Sequence, residues 1–338
     1  MKAVGYKQPS PIQSPESLVD ITLPEPAATG RDLLVEVKAI SVNPVDMKVR
    51  AGSGPFTGDE YRILGWDAAG IVKAVGSEAS MFRPGDEVFY AGSLVRPGTN
   101  AELHLVDERI VGRKPKTLDF VQAAALPLTT LTAWEILFDR LGVKPGKPTG
   151  AGSILVIGGA GGVGSILIQL ARKLTGLTVI ATASRPETQK WCLDLGAHFV
   201  IDHSKPFGPQ LSAIGIPEVE YIASLTATEI HYPGFVEVLA PQGHVAVIDD
   251  PKTLDVKPLK RKSGALHWEL MFTRSLYTTK DIISQHQILN EVADLVDEGV
   301  IRTTLAHDFG PINAANLRRA HELLESGKSH GKIVLSWP

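Results

Sequence analysis

Short apolar runs separated by turn residues fill the first third of the chain. Residues 33–40 (LLVEVKAI) alternate in part between apolar and polar positions, as a half-buried strand does. Residues 69–75 form a second apolar run, and the segment 83–88 (RPGDEV) combines a turn with the start of a third. Proline presets the backbone at the first turn position, and glycine accepts the strained one. The pattern therefore predicts a mostly β domain.

The pattern changes after a loop at 144–152 that is rich in proline, glycine and lysine. Residues 154–157 (ILVI) are an unbroken apolar run, which suits a strand buried on both faces. Segments with helical spacing then alternate with short β-rich runs, and this order predicts a parallel sheet covered by helices on both sides. The predicted strands are 154–157, 178–182, 199–201, 219–223, 244–248 and 332–336, and the predicted helices are 165–174, 187–195, 235–239, 282–297 and 314–325.

Glycines crowd the junction between the strand at 154–157 and the helix after it. Gly159, Gly161 and Gly164 have the spacing G-x-G-x-x-G, in the strand-to-helix context that this motif requires. Glycine is needed there because the backbone must turn tightly and approach a pyrophosphate, which then lies on the helix N-terminus. The chain is therefore predicted to contain a Rossmann-type, doubly wound α/β domain that binds a dinucleotide. The residues expected to bind the phosphates are Gly159, Ala160, Gly161, Gly162 and Val163.

The residues after the second strand of this domain indicate which dinucleotide is bound. An NAD site has an acidic residue about 20 positions after the glycines, where it binds the ribose hydroxyls. This chain has Ala183, Ser184 and Arg185 there, with no acid to repel a 2′-phosphate. Ser184 and Arg185 would bind that phosphate, the arginine through a charge-assisted fork, so NADPH is favoured over NADH. In the alternative interpretation, Ser184 caps the next helix and Arg185 is merely solvated.

Two later strand ends add candidate cofactor contacts. His203 follows the third strand and is placed to approach the adenosine phosphate, although a surface-loop histidine is an equally good interpretation. Ser224 and Leu225 end the fourth strand. Strand ends at that edge of a parallel sheet line the cofactor crevice, so we expect these two residues near the nicotinamide ribose.

Composition narrows the class of protein. A chain of 338 residues is expected to form two domains, and its net charge of -3 gives no reason to expect a nucleic acid or an anionic membrane as partner. No apolar run is long enough to span a bilayer. Cys192 is the single cysteine, which excludes an internal disulfide and a multi-cysteine metal site. These features favour a reducing, cytoplasmic setting.

Beyond these patterns, several segments resemble the medium-chain dehydrogenase/reductase superfamily, and within it the zinc-less quinone oxidoreductase branch. They are 41–46 (SVNPVD), 65–70 (GWDAAG), 84–88 (PGDEV), 124–134 (AALPLTTLTAW) and the glycine motif. The resemblance implies a GroES-like β-barrel catalytic domain built from residues 1–125 and 275–338. It also implies that a Rossmann domain, residues 126–274, is inserted into it, and that the protein is a homodimer.

The chain departs from the zinc-dependent members of that superfamily at the metal-binding positions. It has Asn43 and Pro127 where those enzymes have cysteines, and Trp66-Asp67 where they have His-Glu. Tryptophan and proline offer no metal ligand, and an asparagine carbonyl is a poor one for zinc. No metal is therefore expected. The pair His321-Glu322 lacks the second histidine of a zinc motif and is interpreted as a helical surface pair.

Without a metal to polarise an alcohol, hydride transfer from NADPH to an electrophilic acceptor is the easier reaction, and a quinone or an α,β-unsaturated carbonyl (enone) is such an acceptor. The resemblance implies that Asn43 and Asp46 lie beside the nicotinamide and that Thr132 touches its ring. Asn43 would donate to the acceptor oxygen, while Asp46 either titrates or orders its loop. Thr129 and Thr130 either contact the cofactor or cap a helix. A zinc-dependent alcohol dehydrogenase and a non-catalytic NADPH-binding protein remain as alternatives.

Overall fold

The computed structural model describes residues 1–148 and 150–337. Thr149, in the predicted loop at 144–152, lies outside the described residues, as does Pro338. The chain forms two compact units, Met1–Leu131 with Phe272–Pro338, and Thr132–Met271. These divisions differ by a few residues from the predicted ones at 125/126 and 274/275. Within the described ranges, none of the helices has both the length and the apolar character needed to cross a membrane.

The strands are numbered here in chain order. They are β1 Lys2–Tyr6, β2 Val19–Thr22, β3 Asp32–Val42, β4 Arg62–Ile63, β5 Ala68–Val75, β6 Glu87–Tyr90, β7 Leu103–Asp107, β8 Val111–Arg113, β9 Ser153–Ile157, β10 Thr178–Thr182, β11 Phe199–Ile201, β12 Val219–Ser224, β13 Leu239–Val247, β14 Ala265–Trp268, β15 Leu305–Pro311 and β16 Lys332–Ser336.

The α-helices are numbered in the same way. They are α1 Pro44–Gly52, α2 Phe120–Ala124, α3 Pro127–Trp134, α4 Gly162–Leu174, α5 Pro186–Asp194, α6 Phe207–Ala213, α7 Thr228–Val238, α8 Thr273–Tyr277, α9 Ser284–Asp297 and α10 Ala314–Glu325. A π-helical segment, Glu135–Arg140, continues α3.

The second unit contains the predicted parallel sheet. Its strand order is β11-β10-β9-β12-β13-β14, and all five pairings are parallel. In order of appearance this is 3-2-1-4-5-6, the order of a dinucleotide-binding Rossmann fold. Residues Ile154–Ile157 of the central strand are fully buried, as an unbroken apolar run requires. The order reverses between β9 and β12, so the ends of these two strands flank the crevice where such folds bind ligands.

The first unit is built on a mostly antiparallel seven-stranded sheet, in which β3 is hydrogen-bonded to β5, β7 and β16. A smaller sheet has the order β2-β1-β4. β16, from the last residues of the chain, pairs with β3 in the antiparallel sense, and Ile333 lies opposite Val42. This register brings Lys332, at the start of β16, beside the residues that follow β3. The predicted α/β class with a β-rich catalytic domain is confirmed.

The structure corrects the sequence prediction in two parts of the parallel sheet. The edge strand β14 was not predicted, and the boundaries around α7 differ from the predicted ones. The helix predicted at 235–239 begins at Thr228, and the strand predicted to begin at residue 244 begins at Leu239. Pro233 lies inside α7, where a proline removes one helical hydrogen bond. Pro233 and Glu229 are both exposed, so the carbonyl that loses its partner can be hydrated.

Candidate active site

The glycine loop joins β9 to α4 and contains glycines with two different roles. Gly158 has φ +77°, which glycine adopts without strain, and its N–H donates to Thr182 Oγ1 at 3.0 Å. A Cβ on Gly164 would lie 2.5 Å from the Gly158 carbonyl oxygen, so Gly164 permits close packing of helix against loop.

Gly161 is the glycine that faces open space. It is exposed, its φ is −69°, and the nearest atom to a built Cβ is 3.4 Å away. It is also the N-cap of α4, and no side chain caps that end. The first N–H groups of the helix are therefore available to an anion, and the helix dipole favours negative charge there. These residues fit the pyrophosphate of a dinucleotide.

The residues predicted to select the 2′-phosphate lie at the carboxyl edge of the sheet. Ala183 donates its N–H to the Ile201 carbonyl at 3.0 Å, which keeps the ends of β10 and β11 side by side. Ser184 after this bond is exposed. The N-cap of α5 is Arg185, without a side-chain cap, so the alternative in which Ser184 caps that helix is wrong.

Arg185 and His203 differ in their surroundings. A guanidinium nitrogen of Arg185 lies 3.5 Å from a carboxylate oxygen of Glu187, whose side chain is 65% exposed. His203 follows β11, and its buried Nδ1 has no hydrogen-bond partner among the described residues. The ring of His203 lies 6.0 Å from that of His231 on α7, centroid to centroid. His203 is therefore partly buried beside α7 with one nitrogen unused, not a fully solvated loop residue.

Ser224 and Leu225 end β12 next to the glycine loop. The Leu225 N–H donates to the Ile157 carbonyl at 3.3 Å, and the Thr226 side chain is 2.9 Å from a Cβ built on Gly158. The Ser224 hydroxyl is fully buried and bonded to Thr228 Oγ1 at 2.7 Å. The Ser224 hydroxyl is thus already bonded to a neighbour within the second unit, while Leu225 lies beside the glycine loop.

The threonines of α3 lie inside the helix, not at its cap. The helix begins at Pro127, and Thr129 Oγ1 donates to the Leu126 carbonyl at 3.2 Å, so the helix-cap alternative for Thr129 is wrong. Thr132 is 5% exposed. Thr130 is fully buried, and its hydroxyl oxygen has no hydrogen-bond partner within the described residues.

Asn43 belongs to a compact buried cluster in the first unit. Its Nδ2 donates to Asp67 Oδ2 at 2.7 Å and to the Ser41 carbonyl at 3.4 Å, and its Oδ1 accepts from the ammonium of Lys332. Lys332 Nζ also lies 3.0 Å from Asp67 Oδ2 and 3.1 Å from the Val42 carbonyl. We call Ser41, Asn43, Asp67 and Lys332 the amide cluster.

Asp67 receives donors on both carboxylate oxygens. Oδ2 accepts from Ser41 Oγ at 2.8 Å as well as from Asn43 and Lys332. Oδ1 accepts the N–H of Leu128, in the first turn of α3, at 2.7 Å. A carboxylate there satisfies an unpaired backbone donor and interacts favourably with the helix dipole.

Asp46 lies one helical turn beyond Asn43 and makes a capping box with it. Its Oδ2 accepts the Asn43 N–H at 2.8 Å, at the start of α1. Burial raises the pKa of Asp46 from 3.8 to about 7, against the lowering effects of the Asn43 hydrogen bond and of the Lys332 charge. The negative charge of Asp67 raises it further. Asp46 thus orders the loop and also has a pKa near neutrality.

These residues do not fit a metal ion. Trp66 is fully buried, its Nε1 donates to the Ser93 carbonyl at 3.1 Å, and its ring packs edge-on against Phe272. Asp67 is already paired with the ammonium of Lys332, whose charge repels a cation. In the part of the chain that the structure describes, no three His, Cys, Asp or Glu side chains are grouped as metal ligands.

Sequence reasoning missed Lys332 and the role of Asp67. Lys332 begins the apolar strand KIVLS, where a lysine normally marks a solvated strand end, yet its side chain is 3% exposed.

The interpretation of His321 as a surface residue is wrong. Its ring is fully buried on α10, and neither nitrogen has a hydrogen-bond partner in the described part of the chain. Burial lowers its pKa to about 3.

Comparison with known families agrees with this architecture. Residues 29–116 match the alcohol dehydrogenase GroES-like domain, and residues 195–335 match a family described as zinc-binding dehydrogenase. A zinc-type alcohol dehydrogenase-like protein of Staphylococcus epidermidis is 39% identical over 340 residues, covering 99% of each chain. A 2-methylene-furan-3-one reductase of Solanum lycopersicum is 41% identical over 180 residues, which are 51% of this chain and 45% of the reductase.

Solved structures give the same result. A Rhizobium etli protein assigned to the zinc-dependent alcohol dehydrogenases is 58% identical with a TM-score of 0.95, covering 99% of this chain and 98% of its own. The Escherichia coli quinone oxidoreductase in complex with NADPH is 25% identical with a TM-score of 0.83, covering 99% of this chain and 100% of its own. This chain belongs to the medium-chain dehydrogenase/reductase superfamily, in its quinone oxidoreductase branch.

Proposed function

We propose that the protein transfers hydride from NADPH to a quinone or an α,β-unsaturated carbonyl without a metal ion. The observation that carries this proposal is the amide cluster, in which the ammonium of Lys332 is paired with Asp67. The neighbouring Trp66 is fully buried and offers no metal ligand. Such a site offers no Lewis acid to polarise a simple alcohol. An acceptor whose own conjugation delocalises the incoming charge is therefore favoured.

The choice of NADPH rests on the edge of the parallel sheet. No acidic residue stands among Ala183–Arg185 to bind the ribose hydroxyls, and Arg185 supplies a cation for a 2′-phosphate. His203, with its unused Nδ1, lies after the neighbouring strand and is a second donor for that phosphate. The likeness to a quinone oxidoreductase that binds NADPH supports the same choice.

The bound cofactor would supply the hydride. Side chains of the first unit would stabilise the negative charge that develops on the acceptor oxygen and would supply a proton to the product. Asn43 is the proposed donor to the acceptor oxygen. Its 3.4 Å contact to the Ser41 carbonyl is weak enough for an acceptor to replace, whereas its 2.7 Å bond to Asp67 is not. Asp46, with a pKa near 7, is the proposed proton source for the reduced product, because a general acid works best near the ambient pH.

The helix α3 is the proposed cofactor wall. Thr132 and Thr129 are its predicted contacts, and the unpaired hydroxyl of Thr130 is a further donor that a bound cofactor would satisfy. Gly159–Val163 would hold the pyrophosphate, Ser184 would assist Arg185, and Ser224 with Leu225 would border the ribose. A small-molecule quinone or enone is the expected partner, and the family resemblance also predicts a homodimer, which sedimentation analysis can check.

Stopped-flow measurement of NADPH oxidation tests the proposal directly. Quinones and enones should oxidise NADPH at rates that survive exhaustive chelation, and simple alcohols should not reduce NADP⁺. A requirement for stoichiometric zinc would instead establish the alcohol dehydrogenase alternative. NADPH binding without turnover of any acceptor would establish a non-catalytic binding protein.

One relative supports an enone, rather than a quinone, as the acceptor. The Solanum lycopersicum relative is named as a reductase of a methylene-furanone, a compound with a conjugated carbonyl. The match covers 51% of this chain and 45% of the reductase. The screen should therefore include cyclic and exocyclic enones beside benzoquinones and naphthoquinones. A kcat/KM that is higher for enones than for quinones would refine the proposal to an enone reductase.

A further inference from the structure

We propose that Lys332 is a positioning residue: its ammonium fixes the orientation of the Asn43 amide and supplies the positive charge of a site that binds no metal. The inference rests on the proposed function, in which the Asn43 amide faces the acceptor. Lys332 uses its three N–H donors on groups of the protein itself, so it acts through its neighbours and not by contact with substrate.

The ammonium group is fully satisfied by its surroundings. It has three N–H donors, and the structure gives it three acceptors, which are the Val42 carbonyl, Asn43 Oδ1 and Asp67 Oδ2. The residues come from the end of β3 and the position after it, from the segment before β5, and from β16, so strand pairing rather than local sequence assembles them. A buried lysine is stable in a protein when it is paired and bonded in this way.

The charges around Asn43 leave its amide with one favourable orientation. Lys332 can only donate, so it requires the carbonyl oxygen of the amide, and the Asp67 carboxylate can only accept, so it requires the NH₂ group. Turning the amide over would place NH₂ against the ammonium and oxygen against the carboxylate, which creates two repulsions. With Lys332 in place, the second amide hydrogen is therefore held on the side of the Ser41 carbonyl.

The same ion pair connects Asn43 to helix α3. Asp67 shares Oδ2 with Asn43 and Lys332, and its Oδ1 accepts the Leu128 N–H of the helix that carries Thr129 and Thr130. Loss of the ammonium would leave the Asp67 charge uncompensated in the interior and would weaken both connections at once. A preorganised donor is valuable in catalysis because a displacement of about 1 Å can reduce a rate about 100-fold.

The substitution Lys332→Met tests the role, because methionine keeps the length of the side chain without the charge. We expect kcat for quinone or enone to fall about 10- to 100-fold. The Kd for NADPH should change less than kcat, because the proposed pyrophosphate contacts at Gly159–Val163 include no residue bonded to Lys332. The pH profile should also move. Asp46 shares its surroundings with Lys332, Asp67 and Tyr6, so removal of the positive charge should raise its apparent pKa.

Lys114 offers a matched control for loss of a buried ammonium. Its side chain is 5% exposed, its Nζ donates to the Pro115 and Leu118 carbonyls, and it lies 3.1 Å from Glu87. Lys114→Met should lower stability without moving kcat or the pH profile. Lys332→Arg, which retains the charge, should recover part of the lost rate. If Lys332→Met behaves like Lys114→Met, Lys332 is structural only and the proposal is wrong.

A measurement independent of turnover separates this proposal from the proposed function. Selective ¹⁵N-asparagine labelling shows few side-chain amides, those of Asn43, Asn100, Asn290, Asn313 and Asn316. The Asn43 signal, identified with Asn43→Ser, should shift and exchange its hydrogens faster in Lys332→Met than in the wild type or in Lys114→Met. An Asn43 signal unchanged in Lys332→Met overturns the positioning role even if the enzyme is active, and failure to reduce any acceptor overturns only the proposed function.

Discussion

The glycine loop and the amide cluster, which are the proposed sites of the pyrophosphate and of the acceptor, are built in opposite ways. The loop uses backbone groups from one short segment, is partly exposed, and makes no use of side-chain charge. The amide cluster uses side chains from three distant segments, is buried, and depends on a balance between Asp67 and Lys332. From this contrast we expect substitutions in the loop to change stability or cofactor binding by steric clash. Substitutions in the amide cluster should change stability and activity by upsetting the balance of charge.

The largest expected effect separates two glycines of the loop. In Gly164→Val the new Cβ would lie 2.5 Å and 2.6 Å from two backbone oxygens, which cannot move without disrupting the loop and helix. We expect a loss of about 5 kcal/mol or more in the free energy of unfolding, measured by urea denaturation. A change below about 2 kcal/mol would contradict the packing role.

Gly161→Val is the matched variant at the open position. The built Cβ has no neighbour closer than 3.4 Å and φ is −69°, so the fold should survive. The side chain would occupy the space of the phosphate oxygens and abolish binding. NADPH at 100-fold above its Kd stabilises a binding protein by ~2.7 kcal/mol, and melting scans should show this gain in the wild type only. An equal NADPH-induced shift in both proteins would show that the loop does not bind the phosphates.

The second effect tests the charge balance of the amide cluster. Asp67→Leu leaves the Lys332 ammonium buried without its carboxylate, which typically costs about 3–5 kcal/mol. The double variant Asp67→Leu/Lys332→Met removes both charges and should recover at least half of that loss. Urea denaturation of the single and double variants gives the coupling. Strictly additive losses would mean that the two charges do not depend on each other.

The third effect concerns the proposed preference of the protein for NADPH over NADH, which depends on Arg185 at the edge of the parallel sheet. Arg185→Asp replaces attraction to a 2′-phosphate with repulsion, and a lost charge-assisted contact of ~1.5–3 kcal/mol weakens NADPH about 10- to 150-fold. NADH should be affected far less. Lys190→Asp makes the same charge change on the same helix, at a residue paired with Asp194, and should affect NADPH less. Wild-type binding of NADH as tight as that of NADPH would refute the assignment.

The smallest effect concerns a buried group outside both sites. Burial lowers the pKa of His321 from 6.5 to about 3, helped by the charge of Arg50, so the folded chain resists protonating it. Stability from this residue is complete above pH 6.5 and is lost as the pH falls toward 3, amounting to about 2 kcal/mol at pH 5. His321→Leu should reduce the pH 7 to pH 5 stability loss by that amount. Glu322→Gln, at the exposed neighbour, should leave the loss nearly unchanged.

Sequence alone determined the features that depend on neighbours along the chain. The apolar run at 154–157, the glycine motif and the strand at 178–182 predicted the first half of the parallel sheet, because side-chain periodicity reports local geometry directly. The capping box of Asn43 and Asp46 is equally local, and it agrees with the expectation that Asp46 orders its loop, although the box itself was not predicted. Where a proline interrupted the pattern, at Pro233, local reasoning placed the helix and strand boundaries wrongly.

Only the tertiary structure decided which charged and polar residues are buried and which of them are in contact. Lys332 and Asn43 are 289 positions apart and meet because β16 pairs with β3, a contact that no local pattern encodes. Residues such as Lys332 and His321 look like surface positions in the sequence, because polar groups are normally solvated. Lys332 can be buried because long-range packing supplies the partners that compensate its charge, whereas His321 can be buried because its ring stays neutral, with a pKa lowered to about 3.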